Sequence, residues 1–312
     1  MNRTLSVVLA IPACIVLVAA ASAQTAAPAR PLSLQKLDAS IARVTASVNA
    51  SWGIYVKSLE TGEELTIDAD KQMDTMSVIK IPLMAEVFQQ IKDGRLSLAD
   101  KYTLAKDDML PGTGVMRSLD AGDTFTIRDL LTLMIIVSDN TATDVLYRLV
   151  GGPEAVNTRM RALGLKQTVA PANARTWFDA LAAMRNAERF HREARHPYGL
   201  STPREIGQLL EMMERGTLVD KASSDLMLEM MRGQLYRTRI PRYLSGYRIP
   251  HKTGDFLPYI GNDVGVLEAP GAPGQRIVIS IFTANHFGAG ERLEEAIGRV
   301  AEQVGAYFAY RQ

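Results

Sequence analysis

The placement of strand-like segments at both ends of the chain, with a long helical block between them, constrains this sequence most. Trp52 to Val56 alternates apolar and small residues, Thr61-Gly62 turns the chain, and 64–67 alternates again, so a hairpin is predicted there. After Gly246, segments 247–252, 259–267 and 276–284 read as strands. Val264, Val266, Ile277, Val278, Ile279, Ile281 and Phe282 suit a sheet covered on at least one face. Between the ends, segments 78–92, 127–137, 140–150, 153–162, 203–215 and 221–232 carry apolar residues three and four apart, the helical period. Thr126 and Ser201 or Thr202 are expected N-caps, with Pro203 at an early helical position. Segments 33–48 and 291–308 add a helix near each end. The pattern predicts one sheet made from both ends and flanked by the terminal helices, with an inserted all-α domain. We expect the sheet domain to comprise 24–75 and 236–312 and the all-α domain 76–235. The crevice between them is the expected place for a site.

The first residues bear on the compartment. Arg3 precedes an apolar run from Leu5 to Ala20, and Ala21-Ser22-Ala23 is a small-x-small pattern before Gln24. This reads as a signal peptide spanning 1–23. A membrane anchor is the alternative, but the run is short of the ~20 residues a span needs. Export to the periplasm or the medium is therefore expected, with no stable anchor after cleavage. Cys14, the single cysteine, lies inside this segment. Ile11-Pro12-Ala13-Cys14 faintly resembles a lipid-acceptor site, yet the apolar run continues past it. The mature chain then has no thiol, so disulfides, a cysteine nucleophile and cysteine metal ligands are excluded. Cleavage removes one charge, Arg3, and leaves 34 of each sign. No basic field exists to attract nucleic acid.

Three short motifs carry chemistry. Ser77-Val78-Ile79-Lys80 opens the first helix of the block, and one helical turn puts Ser77 and Lys80 on one face. A serine hydroxyl becomes nucleophilic when a base takes its proton, and a lysine with a lowered pKa can be that base. Ser138-Asp139-Asn140 lies between two helices, where capping alone would explain it. Lys252-Thr253-Gly254 ends a predicted strand, where an edge lysine and a turn glycine are ordinary. Each motif alone is weak. In this order and in these contexts they form the set found in class A β-lactamases and penicillin-binding proteins.

The chain therefore resembles the class A β-lactamase-like serine hydrolases over roughly 33–310. Thr126-Ile127-Arg128-Asp129-Leu130-Leu131, Gly151-Gly152-Pro153-Glu154-Ala155-Val156 and Asn262-Asp263-Val264-Gly265 add to the likeness. The resemblance implies an antiparallel sheet in an α/β/α sandwich plus the all-α domain. It also implies an acyl-enzyme on Ser77, with Lys80 as base and Ser138 as proton relay. Asn140 would bind the substrate amide, and Lys252, Thr253 and Gly254 would hold the substrate carboxylate. The oxyanion hole would be the backbone N–H groups of Ser77 and Asp255. No metal or organic cofactor is implied. A monomer acting on a small β-lactam or acyl-peptide is expected.

The sequence departs from the family in one loop. Class A enzymes carry Glu-x-x-Leu-Asn there, and its glutamate positions the water that hydrolyses the acyl-enzyme. The local likeness here, Arg175-Thr176-Trp177-Phe178-Asp179-Ala180-Leu181-Ala182, puts Phe178 at the glutamate position and Ala182 at the asparagine position. The region is longer than usual. It reads as an exposed basic helix, with Asp179, Glu188 or Glu193 as the candidate replacement bases. Arg237, Arg239 and Arg242 are candidates for a supporting arginine, and His251 is expected to face solvent or loop. A D-alanyl-D-alanine peptidase or esterase, a sensor-like protein that stays acylated, and an inert homologue are the alternatives.

Overall fold

Both ends of the chain meet in one five-stranded antiparallel sheet, seen in a computed structural model that describes residues 31–193, 197–270 and 275–309. The signal segment 1–23 lies outside the described residues. Helix α1 (Leu32–Ala46) leads into the hairpin β1 (Ser51–Ser58) and β2 (Glu64–Ile67), and a short β3 (Met73–Asp74) follows. A 3-10 turn (Met76–Ile79) opens α2 (Lys80–Lys92). A small ribbon, β4 (Lys101–Thr103) with β5 (Thr124–Thr126), precedes α3 (Ile127–Ile136), α4 (Asn140–Val150) and α5 (Pro153–Ala162). Then come α6 (Ala174–Met184), α7 (Ala187–Glu193), β6 (Leu200–Ser201), α8 (Pro203–Glu214) and α9 (Lys221–Arg232). Strands β7 (His251–Phe256), β8 (Ile260–Glu268) and β9 (Arg276–Ala284) and helix α10 (Gly290–Ala309) complete the fold. The sheet order is β2-β1-β9-β8-β7.

Period-two alternation along the strands makes the two layers. Ile54, Val56, Leu267, Ile277, Ile279 and Ile281 face α1 and α10 and form one core with Ile41, Ile297 and Val300. Tyr55, Val264, Val266, Val278 and Phe282 face the other way and join α8 and the helical block in a second, larger core. Helix α8 comes close because Gly207 sits over Tyr55, where a Cβ would lie 2.3 Å from the ring.

The expected caps form. Thr126 accepts from Asp129 N–H while Asp129 accepts from Thr126 N–H, and Thr202 caps α8 ahead of Pro203. One strand is displaced from its predicted place. Residues 247–250 give only a bridge at Arg248 to Glu268, and β7 starts at His251. Pro250 lacks the N–H that a ladder needs, so regular pairing begins after it. Lys252-Thr253-Gly254 thus forms the first half of a strand, not the end of one.

Ile279 is wholly buried between Val56 and Gly265. Ile279→Ala is expected to destabilise the protein by about 2–5 kcal/mol. Urea unfolding should show a lower midpoint with an unchanged slope.

Candidate active site

Ser138 is the meeting point of three segments. It joins α3 to α4 with a left-handed backbone, φ 55°. Its neighbour Asp139 fixes the loop by capping α4 through Ala142 N–H at 3.0 Å. The other Asp139 oxygen accepts Val115 N–H at 2.6 Å and Met116 N–H at 2.9 Å. The capping role suggested by the sequence is therefore real, and it serves to hold Ser138.

Lys80, the first residue of α2, is wholly buried. Its Nζ donates to Ser138 O at 2.7 Å, Ser138 Oγ at 3.0 Å and Asn140 Oδ1 at 3.0 Å. From the sheet side, buried Lys252 donates to Ser138 Oγ at 3.0 Å and to Thr253 O at 2.7 Å. Loss of water pushes the Lys80 ammonium well below its ordinary value, and the charge of Lys252 adds to this. The same desolvation brings Lys252 down to about 7, opposed by the Asp255 carboxylate. A hydroxyl oxygen has two lone pairs. With a lysine nitrogen at each, the Ser138 hydrogen is left for a third partner.

Ser77 lies in the 3-10 turn before α2 rather than within the helix, as the sequence pattern suggested. Met76, at φ 46°, sets that turn. Ser77 is partly exposed, and among the described residues no hydrogen bond joins its hydroxyl to Lys80. Strand β7 presses against this turn. A Cβ on Gly254 would lie 2.4 Å from Thr75 O and 2.9 Å from both Ser77 N and Val78 N. The Thr253 hydroxyl is buried and has no hydrogen-bond partner among the described residues.

Ser77, Ser138, Asn140 and Asp255 line one cavity of about 170 Å³. The rest of its lining is largely apolar, made by Trp177, Phe178 and Leu181 of α6 together with Tyr198 and Phe256. Trp177 organises this wall, with edge-on rings of Phe178, Phe190, Tyr198 and Phe256 at 5.2–5.5 Å. Phe178, at the expected glutamate position, stands over Gly112 beside the Asn140 amide.

The region expected as an exposed basic helix is two helices with an anchored inner face. Phe190 is buried, and His191 stacks on Tyr259 at 5.1 Å. Aromatic residues among the arginines pin the segment to Phe256 of β7 and to Tyr259 in the turn before β8. Of the proposed bases, Asp179 is exposed and outside the cavity lining. Glu188 is exposed and paired with Arg192 at 2.7 Å. The Glu193 side chain and His196 lie outside the described residues.

Two features were illegible in the sequence. Arg239 is buried, donates to Asn262 O at 2.8 Å, and pairs with Glu294 at 3.0 Å and Asp255 at 3.3 Å. It is the one of the three candidate arginines placed against the site strand. His251 does not face solvent. It is fully buried, with Nδ1 2.9 Å from Asp263 on the facing strand. Strand alternation was the only signal, because His251 and Lys252 sit on opposite faces of β7 and both faces are covered.

The description "Beta-lactamase enzyme family" matches residues 36–308, and the chain belongs to that family. It is a β-lactamase-like serine hydrolase. It is 27% identical over 288 residues to β-lactamase VEB-1 of Pseudomonas aeruginosa, covering 86% of this chain and 89% of that one. Among solved structures, a β-lactamase from Sphaerobacter thermophilus is 28% identical with a TM-score of 0.75, covering 88% and 97%. A mutant of PBP-A, solved as an acyl-enzyme complex with penicillin G, is 25% identical with a TM-score of 0.77, covering 91% and 100%.

Gly254→Val is expected to lower stability by about 1–3 kcal/mol, because the Thr75–Val78 backbone must move. Thermal unfolding checks this, with Gly254→Ala falling between the variant and the parent.

Proposed function

We propose that this protein is an exported hydrolase of class A β-lactamase type that forms an acyl-enzyme on Ser77. The observation that carries the reading is the pair of buried lysines, each 3.0 Å from Ser138 Oγ, behind a cavity that Ser77 lines. The cavity lies between the sheet domain we assign to 24–75 and 236–312 and the helical domain we assign to 76–235. Segment 1–23 directs the chain to the periplasm or the medium.

In this reading Ser77 Oγ attacks the lactam carbonyl, and its proton passes to neutral Lys80. The backbone N–H groups of Ser77 and Asp255 receive the oxyanion, and losing one such donor typically costs ~3–4 kcal/mol. The C–N bond then breaks. The nitrogen takes the Ser138 hydroxyl proton, and Lys80 returns its proton to Ser138. Asn140 orients Lys80 and meets the substrate amide. Lys252 and the unpartnered Thr253 hydroxyl hold the substrate carboxylate, with Arg239 adding positive charge behind Asp255.

Hydrolysis of the acyl-enzyme is the slow step. Its water needs an acceptor, and the apolar part of the cavity lining presents Phe178, Trp177 and Leu181. The same wall favours a second reading, a D-alanyl-D-alanine peptidase or esterase, or a sensor-like protein that stays acylated by β-lactams. A mutant of PBP-A, a similar chain, has been solved as an acyl-enzyme complex with penicillin G.

Intact-mass spectrometry with benzylpenicillin tests the reading. We expect an adduct on the parent, none on Ser77→Ala, and decay over minutes to hours. Decay within milliseconds would contradict the slow step, and a permanent adduct would select the second reading. Asp179→Asn and Glu188→Gln are expected to leave the decay rate within twofold.

The pH dependence follows from the lysines. Lys252 is charged below about 7 and neutral above it. KM for a carboxylate-bearing penicillin is therefore expected to rise between pH 6 and 8.5. KM for an uncharged ester should not, and steady-state kinetics on both substrates decides.

A further inference from the structure

We propose that Asp74 is a positioning residue that holds the Ser77 turn in its reactive shape and ties it to the loop forming the acyl-side wall. The proposal rests on the reading of Ser77 as nucleophile. Asp74 is the last residue of β3, whose pairing with β6 is only two residues long. Its Oδ1 accepts Met76 N–H at 2.8 Å, and its Oδ2 accepts Tyr198 N–H at 3.3 Å. Its carbonyl accepts from Asn262 Nδ2 at 2.9 Å, and the next residue, Thr75, donates its N–H to Gly199 O at 2.9 Å. One side chain thus links the turn before Ser77 to the segment that brings Tyr198 to the cavity.

The turn needs such a link. Met76 sits at φ 46°, a left-handed conformation that a non-glycine residue adopts only when its surroundings hold it there. A carboxylate accepting the N–H two residues ahead is the local bond that stabilises a tight turn of this kind. Without it, relaxation of Met76 would swing Ser77 relative to Gly254 and the Asp255 N–H. Burial pushes the Asp74 carboxyl up to about 6, so at neutral pH it is ionised and accepts with both oxygens. Gln72, His191 and Arg192 line the cavity on the far side of Asp74, and none forms an ion pair with it among the described residues. A partly buried carboxylate without a counter-ion is costly to keep. Here the backbone N–H groups are its partners. With both oxygens so occupied, Asp74 positions the turn and does not take the Ser77 proton.

The test compares Asp74→Ala, Asp74→Ser and the parent, all as the full mature chain, by rapid-quench intact mass with benzylpenicillin. Asp74→Ala is expected to slow acylation at least tenfold, with the half-saturating concentration within twofold. Asp74→Ser, whose hydroxyl can accept Met76 N–H, should recover to within threefold of the parent. Acylation of Asp74→Ala within twofold of the parent overturns the proposal. So does an equal loss in both variants that merely follows a drop in thermal midpoint. If Asp74→Ala does not fold, Asp74→Asn is expected to lose three- to tenfold, because its amide opposes Tyr198 N–H; a parent-like rate there also overturns the proposal. If the parent gives no adduct on Ser77, the proposed function fails first, and the role of Asp74 falls with it.

Discussion

Two lysine side chains with no access to water converge on one serine hydroxyl, and the rest of the structure is arranged to make that possible. Burying an ammonium is costly unless acceptors surround it, and burying two side by side adds repulsion. Lys80 meets the cost with three acceptors drawn from Ser138 and Asn140. Lys252 has the Thr253 carbonyl and the nearby Asp255 and Asp263 carboxylates. These groups only partly offset the loss of water and the mutual repulsion, so both lysines are held nearer to the neutral form than a surface lysine would be, which suits proton transfer. The acceptors are in place only because Ser138 takes a left-handed backbone and Asp139 clamps the loop on both sides.

The cavity has two unlike walls. On one side lie the polar groups brought by α2, the loop before α4, and β7. The other is formed by Trp177, Phe178 and Leu181, held by an aromatic cluster that reaches Phe190 and Phe256 and meeting the polar wall at Asn140. The polar wall suits activation of Ser77 and protonation of a departing nitrogen. The apolar wall suits an acyl group and offers a water few acceptors. This contrast is the basis for proposing fast formation and slow breakdown of one covalent intermediate.

Much of this was legible in order but not in geometry. The Ser77-to-Lys80 spacing brought both residues to one site, yet the 3-10 turn and the left-handed Met76 belong to contacts with β7 and the 198–199 loop. Period-two alternation in β8 and β9 located the sheet. Pro250 moved the start of β7, because a missing N–H matters only when a neighbouring strand is there to receive it. The α6–α7 region looked exposed because its arginines dominate the local composition. Its buried face depends on Phe190 and His191 meeting Phe256 and Tyr259, which lie about seventy residues further along the chain.

The sequence by itself determined the fold class, the family and the residues of the three motifs, because periodicity and short spacings are local properties. It also offered no Glu-x-x-Leu-Asn match in that loop, where the local likeness sets Phe178 at the glutamate position. Only the tertiary structure decided which charges are buried together, which carboxylates reach the cavity and which arginine backs the site. Asp179 and Glu188 face solvent, Arg239 is drawn inside, and His251 pairs with Asp263 beneath the strand. Desolvation and Coulombic interaction depend on distances between segments far apart in sequence, and the packing of sheet against helices sets those distances.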